Sequence, residues 1–158
     1  MRHTISVLVE NKFGVLARVA GLFSGRGYNI DSLNVAETED PTVSRMTIVA
    51  RGDDRILEQI NKQLNRLIDV IRVSDVTSDP HVERELVMVK VSALPKTRSE
   101  VIQIADIFRA NIVDVTTETL IIAVTGNESK VSAMINMLRP YGIKEIARSG
   151  QVAISRGR

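Results

Sequence analysis

Asn11-Lys12-Phe13-Gly14-Val15-Leu16 carries the residues best suited to chemistry in this chain. A strand-like stretch, Val7-Leu8-Val9-Glu10, runs into this short loop, and helical spacing follows it. The first N–H groups of a helix have no intrahelical partner and the helix dipole favours negative charge there, so such a junction is a ready anion site. A side chain on Gly14 would crowd a ligand, and Asn11 adds an amide that both donates and accepts. A small zwitterion such as a free amino acid suits that combination. The same residues also serve as an ordinary turn and helix cap, and spacing alone leaves both readings open.

Other candidates for chemistry lack partners. His3 and His81 are the only histidines, neither stands at catalytic or metal-ligating spacing, and both read as surface residues. Gly21, Gly25 and Gly27 sit at the end of a helix rather than opening one, which argues against a dinucleotide fingerprint. Asn127-Glu128-Ser129 matches a glycosylation triplet but reads better as a helix cap. Glu39-Asp40 and Asp53-Asp54 are explained by a solvated turn and a helix cap. With 0 cysteines there is no thiol nucleophile, disulfide or thiolate metal site. No catalytic constellation is complete.

The elements that must position the loop follow from periodicity. Residues 4–10 alternate as a strand with Ile5, Val7 and Val9 on one face, and residues 14–26 are helical, with Gly25 and Gly27 ending the helix. Residues 29–37 and 43–51 are strands around the turn Glu39-Asp40-Pro41-Thr42. A helix carrying Leu57, Ile60, Leu64 and Leu67 and a strand over 69–76 complete a βαββαβ order. Thr77-Ser78-Asp79-Pro80 reads as a linker, and the order then repeats. Residues 84–92 form a strand, and Thr97 with Glu100 fits a capping box. Strands at 112–116 and 120–125, a helix capped by Asn127 and a closing strand at 143–148 follow. Val152-Ala153-Ile154 adds a short piece, and residues 156–158 are expected to fray. The fold class is α+β: two ferredoxin-like βαββαβ domains with antiparallel sheets and helices on one face. The expected bounds are 1–77, a linker at 78–80, and 81–158. The strand beginning at Asn29-Ile30 should lie at a sheet edge, and open edges make a homodimer the physical default.

Composition narrows the class. The chain has 158 residues, 44% hydrophobic and 25% charged, with formal net charge +2 and no basic cluster, which argues against nucleic acid. Aromatics are 3% and fall in helices, loops and turns, so the sheets offer no base-stacking platform. No apolar run approaches the ~18 residues of a membrane helix. The start of the chain enters a strand pattern without a signal-peptide pattern. A cytoplasmic protein without membrane contact is the expectation.

Glu10-Asn11-Lys12-Phe13-Gly14-Val15-Leu16 and Gly27-Tyr28-Asn29-Ile30 resemble the ACT domain family of amino-acid-binding regulatory modules. Over its whole length the chain is similar to the regulatory small subunits of acetolactate synthase (acetohydroxyacid synthase). That similarity rests on Gly21-Leu22-Phe23-Ser24, Leu33-Asn34-Val35-Ala36, Ser44-Arg45-Met46-Thr47-Ile48 and residues 64–70. In the second half it rests on His81-Val82-Glu83-Arg84-Glu85-Leu86, Ile112-Val113-Asp114-Val115-Thr116 and Ala147-Arg148-Ser149-Gly150. The resemblance implies a non-catalytic subunit that activates a catalytic large subunit and confers feedback inhibition, usually by valine. The thiamine diphosphate, Mg²⁺ and FAD of that reaction would lie on the large subunit, which joins two pyruvates into 2-acetolactate with loss of CO2 on the way to branched-chain amino acids. No cofactor is expected on this chain. The implied effector site lies between two N-terminal domains of a homodimer: Asn11 with the backbone of Phe13, Gly14, Val15 and Leu16 from one chain, Asn29 and Ile30 from the other. Ala93-Leu94-Pro95-Lys96-Thr97 stands at the equivalent place in the second half, so no effector site is expected there. The competing reading is a stand-alone ACT-type sensing or oligomerisation module without an enzyme partner.

Overall fold

The computed structural model describes residues 1–157 and divides the chain into two compact units. The first comprises Met1–Val82 together with 151–157, and the second Glu83–Gly150.

In the first unit, alternating apolar residues place β1 (Arg2–Glu10) and β3 (Val43–Arg51) side by side at the sheet centre. Their register pairs Ile5 with Ile48 and Val7 with Met46, so both strands present one apolar face. Onto that face pack Val15, Val19 and Phe23 of α1 (Val15–Gly25) and Leu57, Ile60 and Leu64 of α2 (Asp54–Arg66). Fully burying each such side chain contributes roughly 1.5–3 kcal/mol. Strands β2 (Asn29–Glu37) and β4 (Val70–Asp75) flank the centre in the antiparallel order β2-β3-β1-β4, with β2 at an edge. Helix α1 ends in a Schellman arrangement: Tyr28 N–H bonds Phe23 O at 3.0 Å and Gly27 N–H bonds Ser24 O at 3.2 Å. The Phe23 and Tyr28 rings then meet edge to face at 6.4 Å.

Asp53 caps α2 by accepting from Arg55 N–H at 2.8 Å. Asp53→Ala removes that acceptor and should cost about 1 kcal/mol, read as a lower urea midpoint with an unchanged slope.

The second unit repeats the order with β5 (His81–Ser92), α3 (Arg98–Ile107), β6 (Asn111–Val115), β7 (Thr119–Gly126), α4 (Glu128–Leu138) and β8 (Ile143–Arg148). Its sheet runs β6-β7-β5-β8. Val87, Val89 and Val91 pair with Val124, Ile122 and Leu120, and this face buries Val101 and Ile104 of α3 and Val131, Met134 and Leu138 of α4.

Four expectations change. Thr97 does not cap α3. Its backbone is already helical, so the hydroxyl donates back to Leu94 O at 3.4 Å, and Glu100 accepts the Tyr141 hydroxyl instead of closing a capping box. His3 is no surface residue: it is 7% exposed, with Nε2 2.8 Å from Asp54 Oδ1 and Nδ1 3.2 Å from Asp75 Oδ2, tying α2 and β4 to β1. Residues 151–157, assigned from sequence to the second half, belong to the first unit. There β9 (Val152–Ser155) buries Ala153, whose N–H donates to Thr47 Oγ1 at 3.4 Å on the sheet face away from the helices. Arg156, expected to fray, donates its N–H to Pro80 O at 2.9 Å, while Arg158 lies outside the described residues.

Candidate effector site

The loop after β1 is held from two sides. Glu10 N–H donates to Asp69 O at 2.8 Å, in the connection between α2 and β4. Asn11 N–H donates to Thr42 O at 2.8 Å and Asn11 Nδ2 to Pro41 O at 3.0 Å, both in the turn between β2 and β3. One Nδ2 hydrogen is used there, so the exposed Asn11 still offers its second amide N–H and its carbonyl Oδ1. The side chain can thus both donate to and accept from a polar group beside the loop.

Gly14 is the N-cap of α1 with φ 84° and ψ −7°, in the left-handed region. The sequence argument for glycine was room for a ligand, but the backbone conformation demands it first. No side chain caps this helix. Val15 N–H reaches Lys12 O only at 3.5 Å, and Gly14 O accepts Arg18 N–H at 3.1 Å as the helix begins. The N–H groups around Gly14 and Leu16 thus form the anion-seeking end of a helix dipole without a built-in acidic cap. The Val15 side chain is buried in the core, whereas Leu16 is partly exposed and Phe13 fully so.

Charges nearby are paired within the unit. Lys12 Nζ lies 3.0 Å from Glu10 Oε2, and that hydrogen bond holds the lysine above its usual pKa. Arg18 bonds Asp69 across the helix start, and its guanidinium would stand 3.3 Å from a Cβ built on Gly14.

Asn29 and Ile30 are not brought to this loop within one chain. Asn29 pairs with Arg51, which pairs with Arg2, whereas Asn11 follows Glu10, opposite Val43. From residue 2 to residue 10, at about 3.3 Å per residue, the two places are roughly 26 Å apart along the sheet. Asn29 is exposed and donates to Asp31 Oδ1 at 3.1 Å, while Ile30 packs partly against the core. A β-bulge between Ile30 and Ser32 lets Asp31 leave the ladder, where it pairs with Arg51 at 2.6 Å.

The sequence marks the turn Glu39-Asp40-Pro41-Thr42 but not that it positions Asn11. Asp40 Oδ1 accepts Thr42 N–H at 2.9 Å and the Thr42 hydroxyl at 2.7 Å, which shapes the turn whose Pro41 and Thr42 carbonyls hold Asn11. The only signal was an aspartate two residues before a threonine in a proline turn, which also describes a turn with no such duty. The Thr42 hydroxyl bond, then its N–H bond, holds the Asp40 carboxyl below the usual carboxylate range. A lowered folded pKa means this support is complete above the unfolded value of about 3.9 and is lost as pH falls through the folded one. Asp40→Ala should therefore weaken effector affinity about three- to tenfold at neutral pH, because Asn11 loses its frame but not its amide. Calorimetry on the folded variant checks this.

The equivalent turn of the second unit is built differently. Thr97 and Arg98 N–H groups both donate to Leu94 O, at 3.0 and 2.9 Å, and Thr97 is right-handed helical where Gly14 is left-handed. Among the described residues no three His, Asp or Glu side chains gather as a metal site, and no helix is long and apolar enough to cross a membrane.

Comparison with known proteins adds identity. Residues 5–72 match the family described as the AHAS small subunit-like ACT domain, and residues 84–157 match the small subunit of acetolactate synthase. The chain is 59% identical over 157 residues to a probable acetolactate synthase small subunit of Archaeoglobus fulgidus, covering 99% of this chain and 98% of that one. It is 53% identical to the acetolactate synthase small subunit of Aquifex aeolicus, covering 98% of this chain and 81% of that one. The crystal structure of the acetolactate synthase small subunit from Thermotoga maritima superposes with a TM-score of 0.89 at 43% identity, covering 100% of this chain and 99% of that one. On fold, length and sequence together, the chain belongs to the acetolactate synthase small-subunit family.

Proposed function

We propose that this chain is a non-catalytic regulatory subunit that activates an acetolactate synthase large subunit and confers feedback inhibition by valine, bound between two N-terminal units of a homodimer in the cytoplasm. The observation that carries this reading is the helix N-terminus at Gly14, which has no side-chain cap and lies at the end of the sheet opposite Asn29.

The open β2 edge supports the two-chain arrangement. Twofold antiparallel pairing of β2 with a second copy sets Asn29 of one chain beside Glu37 of the other. Glu37 pairs with Ser44, at the same end of the sheet as Glu10. The roughly 26 Å that separates the half-sites within a chain is thereby closed between chains. The effector carboxylate then meets the N–H groups of Gly14, Val15 and Leu16. Its ammonium meets Asn11 Oδ1 and the amide of the second copy's Asn29. A branched side chain lies toward Ile30. Inhibition requires the effector to favour one arrangement of the paired units, and a tenfold preference corresponds to about 1.4 kcal/mol. Thiamine diphosphate, Mg²⁺ and FAD belong to the large subunit in this reading, and the isolated chain should form no acetolactate.

Calorimetry of the purified chain with valine, leucine and isoleucine, followed by assay with purified large subunit, tests the proposal. The expected result is one valine per chain, a rise in synthase activity on mixing, and reversal of that rise by valine. Valine binding with no capture or activation of a large subunit would favour a stand-alone sensing module instead.

A further inference from the structure

We propose that the Arg18 guanidinium is the counter-charge for the effector carboxylate, an inference that deepens the regulatory reading above and rests on it. The residues assigned to the site in that reading offer backbone N–H groups, two side-chain amides and apolar surface, none of them charged. A free amino acid brings a full negative charge, and hydrogen bonds between ionised partners are about twice as strong as neutral ones. Arg18 stands in the first turn of α1, its N–H taken by Gly14 O at 3.1 Å. Side chains of a helix lean toward its N-terminus, so a long one at this position reaches back over the helix start. Arg18 does so: Nη1 lies 3.3 Å from where a Cβ on Gly14 would stand, a place that glycine leaves free.

Two features of this placement point to an anion. The positive end of a helix dipole disfavours a cation. Arg18 nevertheless brings one there, and α1 has neither a side-chain cap nor an acidic residue in its first turn to offset it. Asp69 answers only one arm of the guanidinium. Its carboxylate accepts from Nη2, while its main-chain carbonyl takes Glu10 N–H at 2.8 Å and so fixes it beside the loop. Among the described residues no acceptor takes Nη1. Asp69 thus aims the fork, and Nη1 and the N–H groups of residues 14–16 serve one place from two directions. A carboxylate has two oxygens, one for the helix N–H groups and one for Nη1. The other cation of the loop, Lys12, is held by Glu10 at 3.0 Å. At the same step of α3, where the N–H bonds back to Thr97 O, the second unit carries the buried Val101, which supplies no such charge.

The test is calorimetry of valine on the full chain and two variants. Arg18→Gln removes the charge. Asp69→Asn removes the carboxylate but keeps Arg18 and an acceptor of the same shape. The Arg18 side chain is half exposed, and ion pairs at the surface contribute little to stability, so both variants should fold and sediment as the unmodified chain does. Arg18→Gln should weaken valine binding at least tenfold. Asp69→Asn should stay within threefold of the unmodified chain or bind more tightly. An ion pair that only braces the loop predicts an equal loss in both variants, and that result would overturn the proposal. Unchanged valine affinity in Arg18→Gln would overturn it as well. Failure of the unmodified chain to bind valine would instead overturn the effector site on which the inference rests.

Discussion

Gly14→Asp should abolish valine inhibition, weakening effector binding at least a hundredfold, while activation of the large subunit survives. Two effects add. The position is left-handed, with φ 84°, so any L side chain is strained there by about 1–2 kcal/mol. A modest distortion of the 11–16 loop follows, but not unfolding, because the Cβ itself meets only the end of the Arg18 side chain, at 3.3 Å. The larger effect is electrostatic. The new carboxylate lies where the effector carboxylate would sit and can itself accept from the helix N–H groups, as an N-cap aspartate does. It then competes with the effector intramolecularly. Gly14→Ala separates the two effects, since it strains the backbone without adding charge and should retain a weakened inhibition. The measurements are calorimetric valine affinity and the valine inhibition curve of the reconstituted synthase. A Gly14→Asp complex that remains fully valine-sensitive would remove this loop from the site.

The second large effect distinguishes a site shared between chains from one within a chain. Gly14→Asp and Asn29→Leu should each abolish binding as homodimers, since every site then has one ruined half. A mixed dimer, with Gly14→Asp in one chain and Asn29→Leu in the other, behaves differently if each site combines the loop of one chain with Asn29 of the other. One site collects both substitutions. The other collects none and should bind valine with wild-type affinity, at one per dimer. A site built within a chain predicts none. Co-expression with two affinity tags, tandem purification and calorimetry give the count, and an empty mixed dimer would refute the shared site. The register behind this expectation is independent of the Gly14 argument. It depends only on Asn29 pairing at the Arg2 end of the sheet and Asn11 following Glu10 at the other.

Much of this arrangement was legible in residue order because it depends on short-range physics. Apolar residues two apart along β1 and β3, and three or four apart along α1 and α2, specify which face each element buries, and the core assembles those faces. Asp53 and Asn127 were recognisable as caps because capping involves residues two or three apart, and both side chains accept at those distances, from Arg55 and Lys130. Thr97 fitted the same pattern and failed, because its backbone had already turned helical. A side-chain pattern does not encode its own dihedrals.

What the sequence alone determined was therefore the list of elements, their doubled βαββαβ order, the strand with an open edge and the glycine-marked helix start. Tertiary structure alone decided the rest, and in each case the deciding bond spans tens of residues. Asn11 is held in place because Pro41, thirty positions away, accepts one of its amide hydrogens. His3 became interior because Asp54 and Asp75 close over it. The last strand clusters with the first unit, where Thr47 Oγ1 accepts from Ala153 N–H across 106 positions. Asn29 was parted from Asn11 by the register of three strands, although only a helix separates them in the chain. Local preference is set by neighbours in sequence, but which polar group loses its partner, and which half of a site faces which end of a sheet, depends on long-range pairing that no local pattern contains.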